Sequence, residues 1–285
     1  MNVQTTSAIN QLIQWGKYKE AIEEIEKYIQ NDPEESLGYA LMAKVYTQKD
    51  DYDKAIYWVE EALKKDPEDA LAWELQVSIA YTQEKWREFN RLVDDAFRIF
   101  PTESHFYYLK ANELSSRMKF KEAMEQMEQA LRISPKYALY LANYSYLLAH
   151  LNEKEGSLQY EKRALQEEVE DSSVFMYLAW SADRRGDHKI ALSYFENAIR
   201  LNPNNNQVRD EYLESLQKQY FFYRMLIYPS KMFAKNRYLF LVLWLVAAFL
   251  FRPLILLFIV LYIASHWLTK LLVHVKIFGW SFSQR

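Results

Sequence analysis

Cysteine is absent from the 285 residues, which excludes a disulfide framework and a thiolate metal site. Glycine and proline number only 5 and 7. That scarcity disfavours a turn-rich all-β fold and suits long helices. The five histidines, His105, His150, His188, His266 and His274, show no His-Glu-x-x-His or other paired metal spacing. No Gly-x-x-x-x-Gly-Lys, Gly-x-Gly-x-x-Gly or Gly-x-Ser-x-Gly occurs, so neither a phosphate cradle nor a nucleophile elbow is present. These absences predict a chain without metal, cofactor, enzymatic activity or small-molecule substrate. Met1 to Ser7 lacks a basic region followed by an apolar run, so no cleavable signal peptide is expected.

The net charge of −3 hides a split. Residues 1–219 carry 27 Lys and Arg against 38 Asp and Glu, net −11, whereas 220–285 carry 8 bases and no acid, net +8. The acidic part argues against duplex nucleic acid as a partner, because that needs a basic footprint. The basic, apolar end points to a membrane or a polyanion. Acid pairs such as Glu23-Glu24 and Glu167-Glu168 read as solvated helix faces.

What the sequence does have is a period. Pro33, Pro67, Pro101 and Pro135 are evenly spaced, and Pro203 keeps the register after a lapse at Val169. Aromatic residues follow it at Tyr18, Tyr52, Trp86 and Phe120, lapsing to Lys154 and His188. A mainly small column runs through Tyr28, Ala62, Ala96, Ala130, Ala164 and Ala198, and another through Ala21, Ala55, Phe89, Ala123, Ser157 and Ala191. Each unit opens on Thr5, Tyr39, Trp73, Tyr107, Leu141 or Phe175. Stretches such as Gly16-Lys17-Tyr18-Lys19-Glu20-Ala21 with Asp32-Pro33, and Phe120-Lys121-Glu122-Ala123 with Ser134-Pro135, resemble the tetratricopeptide-repeat (TPR) family.

The resemblance covers about 70% of the chain and implies an all-α, right-handed TPR superhelix of six helix-turn-helix units, 2–35, 36–69, 70–103, 104–137, 138–171 and 172–205. Small residues sit where the paired backbones approach, and aromatic side chains fill the wedge between pairs. Proline ends each unit because it cannot continue a helix. The fifth unit departs from the pattern at Lys154, Ser157, Glu161 and Val169. Residues 206–222 predict a polar capping helix with Val208, Tyr212, Leu216 and Gln219 on one face.

Beyond a basic segment, 223–237, lies an apolar region, 238–275, and a tail, 276–285. Tyr238 to Phe251 is free of charge, Arg252-Pro253 interrupts, and Leu254 to Ala264 is again apolar. Two geometries compete. A transmembrane helical hairpin turns at Arg252-Pro253, with arms of about 21 Å against about 30 Å of hydrocarbon. A single kinked helix instead places Arg252 near mid-membrane, at a cost of about 2.5–3.5 kcal/mol. The hairpin is preferred. Lys231, Lys235, Arg237, Arg252, Lys270 and Lys276 are the expected membrane-interface residues, and the positive flanks place the repeats in the cytoplasm, at a bacterial inner membrane.

The resemblance implies a protein or peptide partner, bound in a concave groove lined by the first helix of each unit. Its register puts His105, Tyr108, Asn112, Asn143, Tyr146, Met176, Tyr177 and Trp180 there. TPR co-chaperones that grip acidic chaperone tails use a clamp of Lys, Asn, Asn, Lys and Arg. Asn112 and Asn143 match its two Asn positions, but Tyr108, Ser173 and Tyr177 replace its cations. The chain therefore reads as a non-enzymatic, membrane-anchored scaffold or adaptor. A tail-anchored organelle-surface receptor and a regulatory or assembly subunit of a membrane complex are the alternatives.

Overall fold

Helix pairs account for the period of the sequence. The computed structural model describes residues 3–203 and 205–220, and in the C-terminal region 259–268, 271–272 and 275. It divides into two compact units, Met1–Tyr140 and Leu141–Arg285. The first contains α1 (Val3–Gln14), α2 (Tyr18–Asn31), α3 (Ser36–Gln48), α4 (Tyr52–Lys65), α5 (Ala70–Thr82), α6 (Trp86–Ile99), α7 (Ser104–Ser116) and α8 (Phe120–Ile133). The chain passes from one unit to the next within α9 (Ala138–His150). The second continues with α10 (Lys154–Ala164), α11 (Ser172–Arg185), α12 (His188–Leu201) and α13 (Asn206–Lys218).

Within a pair, the two helices differ in pattern. The first is apolar nearly all round: α5 buries Ala72, Leu75, Val77, Ile79 and Ala80. Such a helix must be covered on several sides. The second carries one stripe: α6 buries Phe89, Leu92, Val93 and Ala96 at helical spacing and leaves its other face to solvent. The small columns are where the backbones meet. Ala55, Ala62, Ala96, Ala123, Ala130, Ala164, Ala191 and Ala198 are fully buried.

The turn inside each pair is one motif repeated along the chain. Gly16, Asp50, Glu84, Met118, Asn152 and Gly186, which follow one another at the repeat period, all have positive φ. The amide that follows each one bonds back to a carbonyl in the last turn of the first helix: Lys17 to Leu12, Asp51 to Tyr46, Lys85 to Ala80, Lys119 to Leu114, Glu153 to Leu148 and Asp187 to Ala182, at 2.8–3.0 Å. This is the left-handed helix stop, which suits glycine best. The connection between pairs has its own repeated bond. The ring donor at the front of a unit reaches back to a proline carbonyl, from Tyr39 to Pro33 (3.0 Å), Trp73 to Pro67 (2.8 Å) and Tyr107 to Pro101 (3.2 Å).

The lapses of the fifth unit form a polar clasp inside the second compact unit. Ser145 of α9 and Ser157 of α10 exchange hydroxyl-to-carbonyl bonds at 2.8 and 2.9 Å. The Arg185 side chain, 2% exposed, bonds Ser157 Oγ at 2.5 Å and pairs with Glu161. Tyr194 of α12 donates to the same Glu161 carboxylate at 2.9 Å. Ser157 and Glu161 thus break the apolar column because α10 is held to its neighbours by hydrogen bonds and a buried ion pair.

One expectation is overturned. Among the described residues, no helix is long and apolar enough to cross a membrane. The transmembrane hairpin over 238–275 and the integral-membrane placement that rested on it are corrected accordingly. Lys231, Lys235, Arg237, Arg252, Lys270 and Lys276 lie outside the described residues.

Two stability changes are expected. Arg185→Met strands a buried carboxylate and should cost about 3–5 kcal/mol, whereas Glu161→Leu with Arg185→Met and Tyr194→Phe should cost less than half as much. Urea unfolding of both variants checks the order. Met118 is 80% exposed in a left-handed turn, so Met118→Gly should raise stability by about 0.5–1 kcal/mol in the same assay.

Candidate functional site

One half-buried position recurs on the first helices. Asn10 (α1), Lys44 (α3), Ser78 (α5), Asn112 (α7), Tyr146 (α9) and Trp180 (α11) occupy equivalent places in successive units, and each is partly exposed. Each of their helices also carries residues buried in the core. These positions can meet a ligand with their backbone already fixed, so little ordering entropy remains to oppose binding.

In the first compact unit this column is tied from helix to helix. Lys44 Nζ donates to Asn10 Oδ1 at 2.8 Å. His105 Nε2 lies 3.5 Å from Ser78 Oγ, at the limit of a hydrogen bond. His105 also sits 6.0 Å from the Tyr108 ring, and Tyr108 stacks on Tyr140 at 5.4 Å. Burial holds the His105 imidazole below its ordinary range, against the upward pull of Glu74 and Glu103. The ring is therefore neutral at pH 7, able to donate one hydrogen bond and accept another. Burial also pushes the Tyr140 phenol up to about 12, so it stays protonated.

In the second compact unit, Tyr146, Tyr177 and Trp180 gather. Their ring centroids are 5.8 Å apart for Tyr146–Tyr177, 6.0 Å for Tyr146–Trp180 and 5.4 Å for Tyr177–Trp180. His150 adds a fourth ring, 4.5 Å from Tyr146. Met176 and Asn143 are more enclosed, at 5% and 1% exposure. Met176 packs with Ala198 and Val208, beside Phe175 and Trp180. Of the eight groove candidates, the structure thus joins His105 with Tyr108, and Tyr146 with Tyr177 and Trp180.

Four residues of these surroundings are missing from the sequence-based set: Asn10, Lys44, Ser78 and Glu211. The first three precede Asn112 in its own column. Glu211 stands on α13 where Tyr177 stands on α11, because α13 keeps the phase of the first helices for one more period. The Glu211 carboxylate accepts from the Trp180 side chain, and burial pushes its carboxyl above the ordinary value. Lys218 spans Asp183 at 3.0 Å and Glu214 at 3.3 Å. Burial pushes the Asp183 carboxyl up, but its bonds to His188 and Lys218 outweigh that and leave it lowered. Among the described residues, no group of three or more His, Asp or Glu side chains is placed to hold a metal ion.

Helix pairs recurring at a constant period define a helical-repeat protein. Tetratricopeptide-repeat models match residues 12–79, 104–137 and 172–205. These three stretches are tetratricopeptide repeats. A Parabacteroides merdae TPR protein is similar at 12% identity and TM-score 0.59, over 74% of this chain and 82% of that one. PilF of Pseudomonas aeruginosa is similar at 20% identity and TM-score 0.54, over 74% and 97%. PilW, a type IV pilus biogenesis factor, is similar at 22% identity and TM-score 0.50, over 65% and 93%. At these identities the likeness concerns the fold. No curated protein matches the sequence.

His150 gives the site a pH signature. Burial, with the charge of Arg184, pushes its imidazole from about 6.5 down to about 4. Above pH 6.5 it is neutral folded or unfolded and contributes nothing. As pH falls from 6.5 to 4 only the unfolded chain takes the proton, so stability is lost across that window. The loss should be on the order of 1 kcal/mol, below the full value of the shift because the ring is partly solvated. Urea unfolding at pH 7.0 and 4.5 should show it in the wild type and much less in His150→Gln.

Proposed function

We propose that this protein is a non-enzymatic scaffold that binds a partner protein or peptide along the faces of its first helices. The carrying observation is the half-buried column Asn10, Lys44, Ser78, Asn112, Tyr146 and Trp180. Each of these side chains is polar or aromatic, on a helix that also contributes to the core. A column used only for packing has no need of polar atoms held at part-exposure. Tyr and Trp so placed supply large contact area at low entropic cost and dominate binding hot spots. Asn and Lys on the same column offer directional bonds to a peptide backbone or carboxylate.

The groove reading takes in His105, Tyr108, Asn112, Asn143, Tyr146, Met176, Tyr177 and Trp180, with the half-exposed rings foremost and the enclosed Asn143 and Met176 supporting them. The six-unit division of residues 2–205 and the capping role of residues 206–222 belong to the same reading. The fold shared with other TPR proteins supports it, because repeat arrays of this kind present extended binding surfaces.

The triple variant Tyr108→Ala, Tyr177→Ala, Trp180→Ala should lower affinity for a co-purifying partner at least tenfold, since hot-spot truncations each cost about 2 kcal/mol or more. Affinity capture followed by titration of the identified partner measures this. Unchanged binding by a variant with wild-type circular dichroism would reject the groove.

A further inference from the structure

The start of α6, in the first compact unit, borders an open hollow of about 450 Å³ lined by Lys85, Trp86, Arg87, Glu88 and Arg91. Three of these side chains are cations, and all three are exposed. Elsewhere in the repeat the position of Arg91 holds Glu23, Tyr57, Glu125, Gln159 or Ser193, none of them basic. The starts of α2 and α8 close the same corner with an ion pair, Lys17 to Glu20 at 3.3 Å and Lys119 to Glu122 at 3.0 Å. The equivalent pair of Lys85 with Glu88 is not made, and among the described residues neither Lys85 nor Arg87 joins an ion pair. Arg91 reaches Asp95 only at 4.0 Å, and Asp95 is held by Arg98. The Trp86 ring is fixed edge-on against Tyr81 and Phe89, at 76° and 89°, so this wall of the hollow is preset.

We infer that this hollow docks a short acidic segment of a partner protein, one that brings neighbouring Asp or Glu side chains. Arg87 and Arg91 stand four residues apart on one face of α6. Each guanidinium offers a fork of donors to a carboxylate, and Lys85 adds a third charge. Glu88 is the single acid in the lining, and Glu84 and Asp94 on either side of it in sequence stand outside the hollow. The surroundings select a short segment over a broad polyanion. Residues 1–219 carry net −11, so a bilayer face or a duplex laid over the hollow also meets that excess of acid. A short segment feels mainly the charges within a Debye length, about 8 Å. An apolar segment strips water from three cations and returns no hydrogen bond. The hollow lies on a second helix, so the inference goes beyond the groove on the first helices.

Fluorescence anisotropy of labelled hexaglutamate titrated with the full chain tests this, with hexaglutamine as the control probe. Hexaglutamate should bind and hexaglutamine should not. Lys85→Gln with Arg87→Gln and Arg91→Gln should weaken binding about tenfold or more. Arg91→Glu alone, which repeats what Glu23 and Glu125 do on α2 and α8, should also weaken it while circular dichroism stays at wild type. The triple-alanine groove variant should bind hexaglutamate unchanged, so the hollow and the groove are read separately. Binding that survives both hollow variants belongs to the eight bases of 220–285 and would overturn the site. Absence of hexaglutamate binding at low salt would overturn it as well. So would phosphatidylserine lipid vesicles that bind through the hollow in place of the peptide.

Discussion

Two helices can pack at short range only where neither carries a large side chain at the crossing. That requirement sets the rest of the molecule. The alanine columns at the crossings are fully buried, and they recur with the period of the turns and the prolines. Once the crossings are fixed, the first helix of each pair is enclosed on most sides and the second keeps a solvent face. The half-exposed position that recurs on the first helices is where the proposed recognition falls. It is rigid, repeated and filled by whatever side chains the core does not require.

Much of this is legible from residue spacing. Period, pair structure and the position of each turn follow from Pro33, Tyr18, Ala21 and their successors, because backbone constraints act locally and repeat visibly. The left-handed turns are harder to read. Asp50, Glu84, Met118 and Asn152 occupy a conformation that glycine marks only at Gly16 and Gly186. The fifth unit looks irregular in sequence because its compensation is distant: Arg185 and Tyr194 lie 24 and 33 residues from Glu161. Spacing analysis looks for like residues in phase and does not pair a lost apolar group with a cation elsewhere.

The C-terminal expectation fails for a different reason. Hydropathy reports that apolar residues adjoin and says nothing of the helices they form. A charge-free run reads as two arms of a hairpin, yet no described helix has the length for a crossing. The candidate site shows the reverse case. Glu211 escapes a reading that stops the period at the last recognisable proline, although α13 keeps the phase for one more helix.

The clasp of Ser145, Ser157, Glu161, Arg185 and Tyr194 alters how such an array comes apart. In a linear stack each element depends on its immediate neighbours, so rupture starts at the weakest junction. A junction carrying several buried hydrogen bonds and an ion pair loses them together once water enters. It behaves as a seam that holds until it fails at once, and fraying that starts at a chain end halts there.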